Sequence, residues 1–314
     1  MLPSQLSSGD VIADRRADYA KMLAESGEPA SAAELMEQTL ELTPGWAAGW
    51  FTLATYREKA GNTQGAIEAL NEVLTLDAGD VFGARLKLAV LGAADMPDQP
   101  PSRYVERLFD DYADRFETSL VEKLGYSVPQ KLAALIAGTV GMPAHFRLAV
   151  DLGCGTGLFG PEIRARVDRL EGFDLSKGML AKAADKGVYD HLGQADLSLP
   201  PALSGIFDDG LAPGRADLIT AADVLMYLGN LQSVMTIVGG LAAFGAVFAF
   251  SVEDAEEERG YLLRDSLRFA HSEAYVRAIL AADGFVVRNL ARSVIRMDAG
   301  KPVHGILFIT QKST

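Results

Sequence analysis

The stretch Leu148-Ala-Val-Asp-Leu-Gly-Cys-Gly-Thr-Gly-Leu-Phe-Gly160 decides the fold of this chain. Its apolar start predicts a buried strand, and its glycines predict a tight loop that opens a helix. Glycine is needed in such a loop because a side chain would hold a bound ligand away from the backbone amides. The pattern therefore predicts a strand, a ligand-binding loop and a helix in succession.

Two acidic residues follow the loop at the spacing of successive strands. Asp174 ends the next short apolar run, and Asp196 follows after a further helix length. A carboxylate at the end of the second strand can accept both hydroxyl groups of a ribose. One glycine loop and two acids at neighbouring strand ends therefore predict a pocket for a nucleoside.

A dinucleotide-binding site is the competing interpretation, because residues 155–160 also match the G-x-G-x-x-G pattern. Three features count against it. Asp151 lies two residues before the first glycine, and a further acid follows the third predicted strand. In addition, Phe285–Ala291 and Val303–Thr310 are predicted to be strands joined by a reverse turn at residues 298–301. These two strands would form an antiparallel edge of the sheet, which counts against a dinucleotide-binding fold.

The run 151–157, the turn 174–176 and Asp196 resemble a class I S-adenosylmethionine-dependent methyltransferase. Residues 103–314 are similar to that domain, and the whole chain resembles bacterial proteins that join tetratricopeptide repeats to it. The resemblance implies a doubly wound α/β fold with a seven-stranded, mostly parallel sheet. It also implies S-adenosyl-L-methionine as cofactor and an enzyme that moves a methyl group by in-line displacement.

The same resemblance implies which residues hold the cofactor. The glycine loop would lie under its adenosyl and methionyl parts, the acid after the second strand would bind the ribose, and the acid after the third strand would meet the adenine. The cofactor-binding candidates are Asp151, Gly153, Cys154, Gly155, Gly157, Asp174, Leu175, Met179, Asp196, Leu197, Ala222, Asp223 and Tyr112.

The segment 104–116 is predicted to be helical. Its apolar side chains fall on one side of a helix, and they are Leu108, Phe109, Tyr112 and Phe116. This spacing alone favours a face that packs on a core. In the methyltransferases that the chain resembles, a similar Phe-Asp-x-Tyr-Ala segment folds over the cofactor, which implies contacts from Tyr112 and secondarily from Phe109.

The loop after the predicted fourth strand, residues 216–221, should complete the pocket, because open α/β sheets bind ligands at the carboxyl ends of their strands. We expect Ala222 and Asp223 to line the methyl-donor end. Tyr227 lies one helical turn after Asp223 and could face the same site. Capping of a helix is the alternative role for Asp223.

His271 is the candidate base, since the ordinary pKa of imidazole lies near neutrality and the segment 268–273 resembles one near the substrate end of related enzymes. The catalytic candidates are therefore His271, Tyr227 and Asp223. His271 could instead precede a helix that Ser272 caps.

Composition limits the partners of this chain. Its 314 residues carry a formal net charge of −13 and one cysteine, Cys154. We find no basic cluster suited to nucleic acid, no apolar run long enough for a membrane span, no secretion signal and no metal-ligand spacing. We therefore expect a cytoplasmic protein without nucleic acid, membrane or metal, whose methyl acceptor is a small molecule or a protein.

The amino-terminal region repeats with a 34-residue period, in which Gly27, Ala32, Leu40 and Pro44 recur as Gly61, Ala66, Leu74 and Ala78. This period is typical of tetratricopeptide helix pairs. We expect residues 1–95 to form a tetratricopeptide-like domain, 96–102 a proline-rich linker and 103–314 the methyltransferase domain.

The repeats are fewer than the roughly three that usually stand alone, so we expect them to pack on the catalytic domain or on a second subunit. They could recruit a peptide, substrate or protein partner, or they could be a lid or a homodimerisation block. Two other functions remain open for the whole chain. These are an NAD(P)-dependent oxidoreductase and a non-catalytic adaptor that senses S-adenosylmethionine.

Overall fold

The computed structural model describes residues 7–117, 125–256, 260–298 and 300–313. The chain falls into two compact units, Met1–Arg107 and Leu108–Thr314. None of the described helices is both long and apolar enough to cross a membrane.

The first unit is helical. Its helices are α1 (Val11–Glu25), α2 (Pro29–Leu42), α3 (Ala47–Lys59), α4 (Thr63–Leu76) and α5 (Ala84–Val90). Their apolar faces meet in one core, whose fully buried members include Ala32, Met36, Leu53 and Ala69. The helical region that the sequence predicts is therefore present, and each helix is stabilised by one buried face.

The 34-residue period is visible in the backbone of this unit. Gly27 and Gly61 both have positive φ, 89° and 79°. The next residue in each turn, Glu28 or Asn62, donates its amide to the carbonyl five residues back, at 2.9 and 2.8 Å. This bond satisfies a carbonyl at the end of the preceding helix, and the glycine supplies the left-handed backbone that the turn needs. The pairs α1–α2 and α3–α4 thus share one turn geometry.

Helix α6 (Ser102–Asp110) begins near the end of the first unit and ends inside the second. The helix predicted over 104–116 is therefore wrong beyond Asp110. A short 3₁₀ turn, Ala113–Arg115, follows it. The carboxylate of Asp110 bonds to the start of a later helix, at Ser176 and Gly178.

The second unit alternates strands and helices. Its helices are α7 (Val128–Gly138), α8 (Gly160–Ile163), α9 (Lys177–Asp185), α10 (Gln232–Leu241) and α11 (Glu273–Ala282). Its strands are β1 (Phe146–Leu152), β2 (Val167–Asp174), β3 (His191–Gln194), β4 (Ala216–Ala221), β5 (Ala242–Asp254), β6 (Tyr261–Leu263), β7 (Phe269–His271), β8 (Phe285–Asp298) and β9 (Lys301–Lys312).

All nine described strands belong to one sheet. β1 to β5 pair in parallel in the order β3-β2-β1-β4-β5. The prediction of a mixed α/β fold with a central sheet is confirmed, but the predicted count of seven strands is wrong. β5 extends beyond the main sheet, and its last residues, Glu253 and Asp254, pair with β7, which adds the hairpin β6–β7.

The carboxyl-terminal strands form an antiparallel edge. β9 pairs antiparallel with β5, and β8 pairs with β9 along nearly its whole length. Both strands extend beyond the predicted 285–291 and 303–310, up to the turn between Asp298 and Lys301. Ala299 of that turn lies outside the described residues. Apolar residues fill both faces of the sheet, so helices cover it on both sides.

A buried ion pair fixes the start of β4 against β2. Glu171 on β2 is 1% exposed and accepts hydrogen bonds from Nε of Arg215 at 2.8 Å and Nε of Arg169 at 2.9 Å. Arg215 also donates to the carbonyls of Ala212 and Ile206. These bonds give each nitrogen atom of the Arg215 guanidinium group an acceptor. They also fix the position of Arg215, which directly precedes β4.

We predict that Arg215→Met lowers the free energy of unfolding by about 3–5 kcal/mol, because Glu171 would remain charged and buried without its main partner. Urea denaturation measures the change. Arg288→Met, at an exposed position on β8, is the control and should change stability by no more than about 0.5 kcal/mol. Equal stability of the two variants would contradict the role of the pair.

Candidate functional site

The glycine loop between β1 and α8 lies at the carboxyl edge of the sheet. A Cβ atom on Gly153 would lie 2.3 Å from Cγ2 of Val224, so the loop after β4 packs directly on this glycine. A Cβ atom on Gly155 would meet nothing within 4 Å, and its φ is 55°. The loop is therefore closed on the Gly153 side and faces open space at Gly155.

The Asp174 carboxylate at the end of β2 is bonded to this loop. Its Oδ2 accepts from the amide of Gly155 at 2.8 Å, and its Oδ1 accepts from the amide of Ser176 at 2.9 Å. Burial raises the pKa of Asp174 to about 6, and these backbone bonds oppose the rise. Asp174 is therefore mostly ionised at neutral pH and lies beside the open face of the loop.

Asp196 lies two residues after β3, the strand that neighbours β2. Its Oδ1 accepts from the amide and the hydroxyl of Ser198, at 2.9 and 2.6 Å. Its backbone amide bonds to the carbonyl of Ser204 at 2.9 Å, and Leu197 beside it is buried. The fold thus brings Asp174 and Asp196 to adjacent strand ends, as the sequence predicts.

Asp151 is placed beneath the loop and not in the open space. It is 1% exposed, and its two carboxylate oxygens accept from the hydroxyls of Tyr189 and Thr220, each at 2.8 Å. Burial raises the pKa of Asp151 to about 6. This geometry corrects the expectation of direct ligand contact, because Asp151 holds the loop from below. Tyr189 had no sequence signal that marked it as a partner.

The other predicted cofactor-binding residues near the glycine loop mostly pack inside the protein. Cys154 is buried, and burial raises the pKa of its thiol well above the usual value, so it is not a thiolate. Met179 is fully buried in α9, and Gly157 packs under the ring of Tyr189. Leu175 is partly exposed and accepts from the Gln194 side chain at 2.9 Å through its carbonyl.

The segment after α6 is tied to α9 by polar bonds. Oδ1 of Asp110 accepts from the Ser176 hydroxyl at 2.5 Å and from the Gly178 amide at 3.1 Å, so it bonds to the first turn of α9. Further along, Asp114 pairs with Lys182 at 2.8 Å. The bonded Ser176 is the residue whose amide reaches Asp174, so this segment is anchored beside the ribose candidate.

The expected cofactor contacts of Tyr112 and Phe109 remain predictions, and the structure shows how the two rings pack. The ring of Phe109 contacts the ring of Tyr227 edge-on, with centroids 5.0 Å apart. Tyr112, the favoured candidate, packs on Phe116 at 5.5 Å and lies under the guanidinium of Arg115 at 5.8 Å. The structure therefore brings Phe109, and not Tyr112, into contact with a catalytic candidate.

Asp223 follows β4 in a left-handed conformation, with φ of 58°. Both carboxylate oxygens face Nη1 of Arg296, at 3.1 and 3.2 Å, and its amide donates to the Ser251 hydroxyl at 2.8 Å. Burial raises the pKa of Asp223, and the charge of Arg296 opposes this. Asp223 therefore neither caps a helix nor is a free base, because its carboxylate is paired with Arg296 in a buried ion pair. Ala222 beside it is partly exposed.

Arg296 and Glu253 are buried charged residues beside Asp223 that the sequence analysis does not identify. Arg296 on β8 is 2% exposed and bonds to Glu253 at the end of β5 as well as to Asp223. A charged residue on the buried face of a strand was the available signal, but its partners lie 43 and 73 residues away in the sequence.

His271 lies inside the packing of β7 and α11. It is fully buried, its Nε2 donates to the carbonyl of Gly229 at 2.9 Å, and its ring stacks on Tyr275. Burial lowers the pKa of His271 to about 4, so the ring is neutral at neutral pH. This position corrects the expectation of an accessible base. Ser272 caps α11 by accepting from the Tyr275 amide at 3.1 Å, as predicted.

Comparison with known proteins supports the methyltransferase interpretation of the residues at the carboxyl ends of the strands. A family model described as "Methyltransferase domain" matches residues 150–241, which include the glycine loop, both acids and Tyr227. Residues 150–241 therefore match a methyltransferase domain, and the sheet has the Rossmann-like fold of such enzymes.

Human methyltransferase-like protein 27 is 33% identical over 109 residues, which cover 34% of this chain. The chain thus matches 44% of the length of that relative. Two solved structures are also similar. Magnesium protoporphyrin IX methyltransferase from Synechocystis PCC 6803, with bound SAM, is 19% identical, with 70% of this chain and 99% of that chain covered and a TM-score of 0.49. An S-adenosylmethionine-dependent methyltransferase from Mesorhizobium loti is 21% identical, with 58% and 96% covered and a TM-score of 0.42.

We predict that Gly153→Ala destabilises the protein far more than Gly155→Ala. Both positions have positive φ, so each substitution carries a backbone cost of about 1–2 kcal/mol, but only the first drives a Cβ atom into Val224. Thermal unfolding measures both. Equal melting temperatures would show that the loop after β4 does not pack on Gly153.

Proposed function

We propose that this chain is an enzyme that moves the methyl group of S-adenosyl-L-methionine onto a small-molecule or protein acceptor. The observation that carries the proposal is the Asp174 carboxylate, which is bonded to the Gly155 amide beside the open face of the loop. The methyltransferase domain over residues 150–241 supports it.

The residues at the nucleoside end suit the cofactor. Each oxygen of Asp174 accepts one of the two backbone bonds given above, and a carboxylate oxygen can accept two. Asp174 can therefore still accept both hydroxyl groups of a ribose. Oδ2 of Asp196 takes none of the hydrogen bonds found among the described residues, so it remains available to an adenine amino group.

When bound, the cofactor supplies an electrophilic methyl group on a positively charged sulfur. The protein therefore needs to hold the acceptor in line and exclude water, and such positioning can lower a barrier by about 7–11 kcal/mol. Phe109 and Tyr227 suit this task, because their rings pack together beside Asp223 at the end of β4.

Among the three catalytic candidates, Tyr227 is the one that we assign to the acceptor side. Its ring is partly exposed, and its hydroxyl accepts from Nε of Arg268 at 3.3 Å. His271 is fully buried, and Asp223 is paired with Arg296. We therefore assign the latter two residues to positioning within the fold.

The helical unit is proposed to be a tetratricopeptide-like array that recruits the substrate or a protein partner. Its support is the repeated turn at Gly27 and Gly61 and the burial of Ala32 and Ala66 at equivalent positions. Arrays of such helix pairs commonly offer a concave binding surface. A pull-down with the full chain and with a chain lacking residues 1–95, each checked for folding, tests this role.

Calorimetry with S-adenosylmethionine, its demethylated product and NAD tests the cofactor assignment. We expect both sulfur nucleosides to bind and NAD to bind weakly or not at all. Transfer of an isotopically labelled methyl group into cell extract then tests catalysis. Tight binding of NAD alone would refute the proposal in favour of an oxidoreductase.

We predict that S-adenosylmethionine binds about tenfold more weakly at pH 5 than at pH 7.5. The pKa of Asp174 is about 6, so about nine in ten molecules would hold a protonated carboxyl at pH 5 and lose acceptors for the ribose. Asp174→Asn should weaken binding at neutral pH and remove most of this pH dependence.

Asp185→Asn, at an exposed position on α9, is the control and should retain both the affinity and the pH dependence. Dissociation constants from calorimetry at each pH provide the measurement. An unchanged pH slope in Asp174→Asn would assign the titration to another group, of which Asp151 is the nearest in pKa.

A further inference from the structure

Three arginine side chains meet at the carboxyl end of β5. Arg296 pairs with Asp223 and Glu253, and Nε of Arg264 lies 3.6 Å from the second oxygen of Glu253. Arg268 belongs to the same turn as Arg264, since its carbonyl accepts from the Arg264 amide at 2.9 Å. The two buried carboxylates thus pair with Arg296 and Arg264, and Arg268 pairs with a third carboxylate, that of Asp298.

The third guanidinium group, that of Arg268, is partly accessible. Its side chain is 26% exposed, and it bonds to the Tyr227 hydroxyl at 3.3 Å and to Asp298 at 3.1 Å. The Asp298 side chain is 46% exposed, and ion pairs with such a partner contribute little to stability. A ligand anion can therefore compete with Asp298 for Arg268.

Two of these guanidinium groups also hold a buried Nε that forms no hydrogen bond within the described part of the chain, although that of Arg264 is ion-paired with Glu253. Nε of Arg264 and Nε of Arg296 have no hydrogen-bond partner among the described residues, although both atoms are buried. Native proteins rarely leave such groups unpaired, and the exceptions often mark ligand or ion sites. A guanidinium group is best matched by the paired oxygens of a carboxylate or phosphate.

Several titratable groups at this end of the sheet are poor proton acceptors. His271 is fully buried, Asp223 is engaged by Arg296, and the Tyr227 oxygen accepts from Arg268. Burial raises the pKa of Tyr126, the other phenol near Asp223, well above its usual value. The Asp298 carboxylate is engaged by Arg268, so a methyl acceptor that must lose a proton is poorly served while that pair holds.

We infer that the methyl acceptor is a carboxylic acid, held by Arg268, and that the product is a methyl ester. This inference rests on the proposed function. A carboxylate oxygen forms the new C–O bond while the S–CH₃ bond breaks, and the electron pair of that bond remains on sulfur. The negative and positive charges cancel, and no proton has to be removed.

The test uses the full chain saturated with S-adenosylhomocysteine, titrated with two matched pairs of probes. The pairs are acetate with acetamide and phenylacetate with phenylacetamide, which differ in charge but hardly in shape. We expect at least one carboxylate to bind about tenfold more tightly than its amide. Arg268→Met should abolish this preference, Arg268→Lys should retain part of it, and Arg288→Met should leave it intact.

Equal affinity for acid and amide, or no binding of either carboxylate, would overturn the inference while leaving the proposed function untouched. A preference that survives in Arg268→Met would also overturn it. Failure of S-adenosylhomocysteine itself to bind would instead refute the proposed function. With labelled methyl donor in cell extract, label released by mild alkali as methanol supports an ester, and label that resists alkali excludes one.

Discussion

The architecture of the site depends on one carboxylate at the end of β2. Asp174 bonds to the amide of Gly155 and to the amide of Ser176, so a single side chain joins the glycine loop after β1 to the start of α9. Because Ser176 in turn binds Asp110, the segment after α6 is fixed by the same chain of bonds. The carboxylate is held by backbone donors, which keeps it in place before any ligand arrives.

A second constraint acts at the other end of the site, where charges are buried and paired. Asp223 is held in a left-handed conformation by its bond to Ser251 and by Arg296, which also binds Glu253. Removal of one member would leave a buried charge without a partner, which is much more costly than exchange of the whole group. This explains why an aspartate at a position that looks catalytic has its carboxylate fully engaged by the protein.

The sequence was sufficient for features that depend on local patterns. The sequence predicts β4 at its observed bounds because Ala216–Ala221 is one short and mostly apolar run. It predicts Ser272 as a helix cap because this residue directly precedes an apolar helical segment. The glycine loop and the acids at the ends of neighbouring strands also follow from order and spacing along the chain. Each of these signals is confined to a few consecutive residues.

The errors arise where distant residues decide the outcome. The helix over 104–116 ends early, at the residue whose carboxylate bonds to the turn after β2, some 66 residues away. The hairpin β6–β7 exists because β5 continues to Asp254 and offers an edge for pairing, which the short apolar runs around 261 and 270 do not reveal. The role of Arg296 likewise depends on partners from β4 and β5.

The first of these constraints extends to the segment after α6. The segment after α6 is attached to α9 through Asp110 and through the ion pairs of Lys182 with Asp114 and Lys186 with Glu117. The Asp114 side chain is 94% exposed, and an exposed pair contributes only about 0.2–1 kcal/mol, so this pair adds little to the attachment. The Asp110 bonds are partly buried and anchor the near part beside Asp174. The segment is therefore bonded most firmly where it lies beside Asp174, while surface ion pairs and the packing of Phe116 on Tyr112 hold its far end.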